Sequence, residues 1–548
     1  MAFLVDLFGF LSVVLRGCVL ALTAFTIGGI VFRHAVLAPT LASHPANRVL
    51  TTRLAALQRR CAIGVVMITL CAMGLELAVL TATIGVGWES ALTAPFSLAG
   101  MLVCGTGLLI LAITRADKTL PWLEAVAAVA LLAGIVITTH ALGRIEGRVL
   151  LITVSALHQA GAAAWIGGLP YFLIALSAAT PLAARAALAA RFSKICVAAV
   201  IAITISAAAK YFNYLGVFAA TYGTAYGLMT STKAVLFGAL LCFGAGNFWA
   251  VRRMAQDDRA ARRTRRFVEV ELVLGLTVFF VAGSLTSLPP AVDLPHDRVP
   301  WPMVVERVLT PRAPRLTSPD YSELAYAAEQ ARIDKLVVAE REEAALAFTP
   351  GSGVPSPRTV GDIAWSEYNH NWSGVFVLTI GILALLAKLP HGHWARHWPL
   401  IFVGLGIFVA VRSDPETWPL GGIGFLEAFR DPSVVQHRIF STLVALFGIF
   451  EWRVRTQRLS APWASNIFPI SNIVGGIMLL THSHSLENIQ EALLIEMSHI
   501  PLGLLAIAGG CARWLELRSD PPLRERAGWV WPLCFVLIGL ILLLYRES

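Results

Sequence analysis

Charge is what this sequence has least of. Only 14% of its 548 residues are Asp, Glu, Lys or Arg, against 57% hydrophobic residues and a mean hydropathy of +0.70. That balance excludes a soluble globular chain, which carries about 25% charged residues. The eight cysteines (Cys18, Cys61, Cys71, Cys104, Cys196, Cys242, Cys511 and Cys534) include no C-x-x-C pair and lie nearly all in or at the ends of apolar runs. They read as small core residues rather than as disulfides or a thiolate metal site. The nine methionines form no Met-rich run, so a thioether ladder for a soft metal is missing. Also missing are a G-x-x-x-x-G-K-[ST] phosphate loop and a large domain between spans, which excludes an ATP-driven pump and leaves no sign of an enzyme. No basic stretch precedes the first apolar run and Arg16 interrupts it, so that run reads as a first span, not a cleaved signal.

What the chain has instead is a succession of apolar segments about 20 residues long, the length of a membrane-crossing helix and too long for barrel strands. The expected fold is an all-α, polytopic transmembrane helical bundle of about 14 spans, arranged 8 + 6. The spans fall at 7–32, 61–84, 95–114, 122–142, 149–176, 193–215, 229–251, 268–290, 371–389, 398–411, 433–451, 466–482, 489–515 and 527–545, the tenth being the shortest. Lys and Arg collect in the loops after odd-numbered spans, for example Arg48 to Arg60 and Arg252 to Arg266. By the positive-inside rule those loops face the cytoplasm and both termini face outward. The net charge of +9 is then a topology signal, and nucleic acid is not implied. The loop 291–370 divides the chain into an eight-span domain, 1–290, and a six-span domain, 371–548. Within it, Leu324, Ala328, Ala331 and Val338 favour one face of an amphipathic helix that would pack on the outer membrane surface or between the halves.

Ionisable side chains at the ends of apolar helices carry the chemical signal, because such groups are costly in lipid and mark ion, proton or cofactor paths. The strongest stretch is THSHSLENIQEALLIEMSHIP (481–501). His482 and His484 close one apolar segment, and Glu496 with His499 share a face of the next at i, i+3. SEYNHNWSG adds Glu367 and His370 at the start of one span, and QHRIF adds His437 at the start of another. Four spans thus bring imidazoles or carboxylates to one depth, the outer third of the membrane. The first-choice metal ligands are His482, His484, His499 and His437, with Glu496 and His370 beside them. A second candidate site pairs His140, in TTHALG, with His158, in LHQAGAAAWIGGL. Imidazole suits Cu, Zn, Fe and Ni alike, so ligand chemistry alone selects no metal. Two histidines on different helices also suit a haem b, which makes a membrane redox protein the main alternative. Helix-locking carboxylate–imidazole contacts and core histidines bonded to backbone are the plain structural readings of the same residues.

Other polar residues have simpler readings. His391, His393 and His397 in HGHWARH, like His34 and His44 beside Arg33 and Arg48, fit an interfacial anchor as well as a handover site. Glu76 is expected to pair with Arg16, Lys210 or Lys233, and Glu269 and Glu271 to neutralise the Arg252–Arg266 cluster.

The segment from His158 to Leu169, with RFSKICVAAVIAITISAAAKYFNYLG, TAYGLMTSTKAVLFGALLCFGAGN and VEVELVLGLTVFFVAGSLTSLPP, resembles the copper-resistance D (CopD) family over roughly 145–290. The resemblance implies a bacterial inner-membrane protein of copper uptake or homeostasis, acting with a periplasmic copper-binding protein. From SEYNHNWSG to ARWLELR the chain is similar to a C-terminal extension of some longer members, to which no activity attaches. The expected function is therefore copper ion binding and transport through outward-facing His and Glu side chains. A haem-binding redox protein and a non-transporting copper-storing scaffold or assembly factor are the alternatives.

Overall fold

A computed structural model describes residues 8–43, 48–83, 85–116, 120–177, 180–296, 298–310, 312–324, 332, 359–481 and 489–547. Each expected span corresponds to a helix. In order these are α1 (Phe8–Val31), α2 (Arg48–Thr83), α3 (Pro95–Arg115), α4 (Pro121–Ile137), α5 (Arg148–Trp165), α6 (Leu182–Tyr214), α7 (Ala225–Arg253) and α8 (Asp258–Ser287). They continue as α9 (Val360–Leu386), α10 (Ile401–Arg412), α11 (Pro432–Arg455), α12 (Ile467–Thr481), α13 (Ile489–Arg518) and α14 (Leu523–Leu543). Thirteen of the segments are long and apolar enough to cross a membrane, and α4, with 17 residues, is a shorter apolar helix. The tenth span reaches 20 residues because a 3₁₀ stretch, His393–Leu400, leads into α10. No strand occurs among the described residues, and the fold is an all-α polytopic bundle.

Local chemistry sets the helix ends. Thr359 caps α9 in a reciprocal capping box with Asp362, and Thr224, Asp257 and Asp431 cap α7, α8 and α11 through side-chain oxygens. Proline opens α3, α4 and α11, where its missing N–H costs nothing. After α1 the chain widens into a π-helical stretch, Phe32–Leu37, before resuming an α-turn.

Contacts divide the chain into two compact units, one built on Phe8–Trp301 and the other on Pro302–Leu479 with Glu491–Ser548. In the first, α1 is central and packs on α2, α4, α5 and α8, while α7 pairs with α8 and α5 with α6. Close approach depends on small residues, as expected where lipid removes the hydrophobic drive between helices. A methyl group added to Gly28 would collide with the backbone of Gly167, and one added to Gly167 with the Ala24 carbonyl.

In the second unit α9 packs along α14 and α10 along α11. Its core is aromatic: Trp398, Phe402, Phe468, Trp531 and Phe535 are all buried together. Beneath these rings lies an ionic network. Glu516 accepts from Lys388 Nζ (2.6 Å), Arg513 Nη1 (2.5 Å) and the Trp531 indole (2.7 Å), while Arg455 binds Glu451 (2.6 Å) and lies over the Trp398, Phe468 and Trp531 rings. Of the expected amphipathic face in the long loop, Leu324 is buried and Ala328, Ala331 and Val338 lie outside the described residues.

Candidate metal centre

The sequence scatters its histidines; the second unit brings two of them together. His370 on α9 and His499 on α13 stand edge to face, ring centres 5.8 Å apart. Tyr545, just beyond α14, stacks on His370 at 4.0 Å and meets His499 at 5.8 Å. Hydrogen bonds fix the His370 ring. Its Nδ1–H donates to the Ser366 carbonyl at 2.8 Å, one helical turn back, and since a carbonyl only accepts, Nε2 holds the ring's lone pair.

Acidic groups surround this pair. Glu547 accepts from Ser366 Oγ (2.5 Å) and from the Tyr545 hydroxyl (2.8 Å), and its backbone N–H donates to Glu367 (3.0 Å). Arg315 bonds the other Glu367 oxygen at 3.3 Å, and Asn371 ties α9 to the Leu542 and Tyr545 carbonyls. Glu496, on α13 three residues before His499, is buried, and its Oε2 has no hydrogen-bond partner among the described residues. Tyr545 and Glu547 were not legible as site residues, because both follow the last apolar run and carry no motif.

His437 has a separate set of neighbours. Its Nδ1 lies 2.6 Å from Asp414 Oδ1 in the loop before α11, with Asp431 and Glu416 nearby. Burial, aided by the charges of Asp414 and Asp431, pushes the Glu416 carboxyl up to about 7. His482 and His484 lie outside the described residues. Among the described residues, no three His, Cys, Asp or Glu side chains gather closely enough to hold a metal ion.

In the first unit, His158 donates from Nδ1 to Ser206 Oγ (3.0 Å), which in turn donates to the Ile203 carbonyl (2.9 Å). Lys210 and Lys233 are within electrostatic reach of that imidazole, and both oppose a cation there. His140 meets the Leu285 carbonyl at 3.5 Å and the rings of Tyr214 and Tyr226. Arg16 is the base within electrostatic reach of Glu76, and both line a small cavity with Thr138.

Two polar clusters depart from expectation. Glu269 does bind Arg266 at 2.8 Å, but Glu271 is buried and accepts from Asn247 Nδ2 at 2.5 Å. Arg33 and His34, expected as an interfacial anchor, both bind buried Glu124 of α4, at 2.9 and 2.6 Å, beside a cavity of about 430 Å³. His44 lies outside the described residues, and His397 accepts from the Trp452 indole at 2.9 Å.

No curated protein and no solved structure matches the chain. A family model described as Copper resistance protein D matches residues 186–285, which take in most of α6, all of α7 and nearly all of α8. With that match set among apolar membrane-length helices, the chain is a multi-pass membrane protein of the copper resistance protein D family.

Proposed function

We propose that this protein binds copper and carries it across a bacterial inner membrane, taking the ion at the extracytoplasmic ends of α9 and α13. The observation that carries the reading is the His370–His499 pair in a chain of the copper-resistance family. With a metal–nitrogen bond of about 2.0 Å, an ion bridging two imidazoles sets their ring centres roughly 6 Å apart, close to the spacing here. The Glu367 and Glu547 carboxylates add the negative charge that draws a cation to this end of the unit. His482 and His484, with Glu496 and His437, are the proposed further ligands along the same route. His140 and His158 are a weaker second site, because two lysines oppose a cation at His158. A periplasmic copper-binding protein is the proposed donor.

Radioactive copper uptake into proteoliposomes tests this, together with metal analysis and an absorption spectrum of the purified protein. Expected are bound copper, no haem Soret band, and flux above empty vesicles that falls roughly 10–100-fold in His370→Ala and His499→Ala. A Soret band would move the protein to the haem-binding class. Bound copper with no flux would make it a copper-storing scaffold.

A further inference from the structure

Within the family-matched segment, α6 and α7 border a groove of about 460 Å³ that no part of the copper route uses. Its walls are apolar and ringed, with Phe192, Cys196, Phe248 and Trp249 among them. Phe248 and Trp249 are 37% and 70% exposed, so the groove opens on the surface that faces lipid. Two polar side chains interrupt this lining. Asn247 and Glu271 are only 8% and 3% exposed and are joined by the 2.5 Å bond from Asn247 Nδ2 to Glu271 Oε1. Asn247 Oδ1 is buried with no hydrogen-bond partner among the described residues. Turning the amide over does not help, since Nδ2 would then be the orphan. A buried amide with one unmet end, lining a lipid-accessible groove, calls for a partner from outside the chain.

An acyl chain has no polar atom to offer Asn247, and a phospholipid head group carries charge that this apolar lining does not meet. A flat ring with a hydroxyl meets both demands, stacking among the aromatic walls and donating to Asn247 Oδ1. We propose that this groove is a binding site for a membrane-soluble hydroquinone, its ring between the aromatic walls, one hydroxyl on Asn247 and its apolar tail toward lipid. The proposal concerns binding, and it stands apart from the copper reading.

The test uses the full chain in nanodiscs under nitrogen, with a tritiated decyl-tailed hydroquinone as probe and empty nanodiscs as the partition control. Expected is saturable binding of one equivalent, weakened about tenfold by Asn247→Leu through loss of one buried hydrogen bond. Gly244→Leu should abolish binding, because a Cβ there meets only Trp165, at an ordinary 3.8 Å, and the longer side chain would fill the groove. The same probe with both hydroxyls methylated should show partition only. No saturable excess over empty nanodiscs, or equal affinity for the methylated probe, would overturn the proposal; so would a folded Asn247→Leu protein with unchanged Kd. The comparison of the two probes on the unaltered protein holds even if a variant does not fold. It is run without copper, so its failure leaves the transport reading intact.

Discussion

His437 Nδ1 and Asp414 Oδ1 lie 2.6 Å apart, so the start of α11 is tied to the preceding loop by an imidazole–carboxylate bond. That loop also holds Glu416, whose carboxyl is raised from its ordinary value near 4.5 to about 7, chiefly by burial. A raised carboxyl stabilises the fold fully below pH 4.5, and the contribution is lost as pH climbs through 7. Glu416→Gln removes the titration. Its stability relative to the unaltered protein should be level near pH 5 and ahead by about 1–3 kcal/mol at pH 8. Thermal unfolding in detergent at the two pH values checks this; a pH-independent difference would contradict it.

The ionic network under the aromatic core is the costliest place to remove a charge. Glu516→Gln strands Lys388 and Arg513 with a weaker acceptor and should destabilise by about 3–5 kcal/mol. Asp258→Asn, which breaks the half-exposed pair with Arg262, should cost under about 1 kcal/mol. Equal melting shifts in the two variants would count against this account of the network.

Helix spacing gives a third expectation. Gly28→Ala drives a methyl group into the Gly167 backbone and should cost about 1–3 kcal/mol through forced separation of α1 and α5. Gly105→Ala in α3 meets nothing within 4 Å and should be neutral or gain up to about 1 kcal/mol from helix propensity. The two changes are chemically identical, so opposite shifts in melting temperature isolate the packing effect.

At the proposed copper site, the Tyr545 ring and its hydroxyl have separable roles. Tyr545→Phe keeps the stack on His370 while losing the 2.8 Å bond to Glu547, and copper uptake should stay within about twofold. Tyr545→Ala removes the ring that supports His370 and should lower uptake roughly tenfold or more. Initial rates in proteoliposomes distinguish the two; a matching loss in both would assign the effect to the hydroxyl.

The helices were readable because their signal is local: a run of apolar residues long enough to span lipid is visible without knowing its neighbours. Charge partners were not. Glu124 meets Arg33 and His34 across some 90 residues, a pairing that no spacing rule reaches. Glu271 was assigned to the arginine cluster by proximity along the chain. Two residues from Glu269 on a helix it faces elsewhere, onto Asn247 rather than Arg266. His370 and His499 lie on separate helices, so their meeting is a property of the second unit's packing, not of either motif. His482 and His484, the strongest sequence signal, lie outside the described residues.

The widened turn at Phe32–Leu37 sets a rule about length rather than identity. A π-turn holds one residue more than the α-helix it interrupts. Deleting a single residue there would let the helix rewind and swing all that follows by about 100°. Arg33 and His34 grip opposite oxygens of Glu124 from adjacent positions, so such a deletion would unhook the clasp even if both side chains remained.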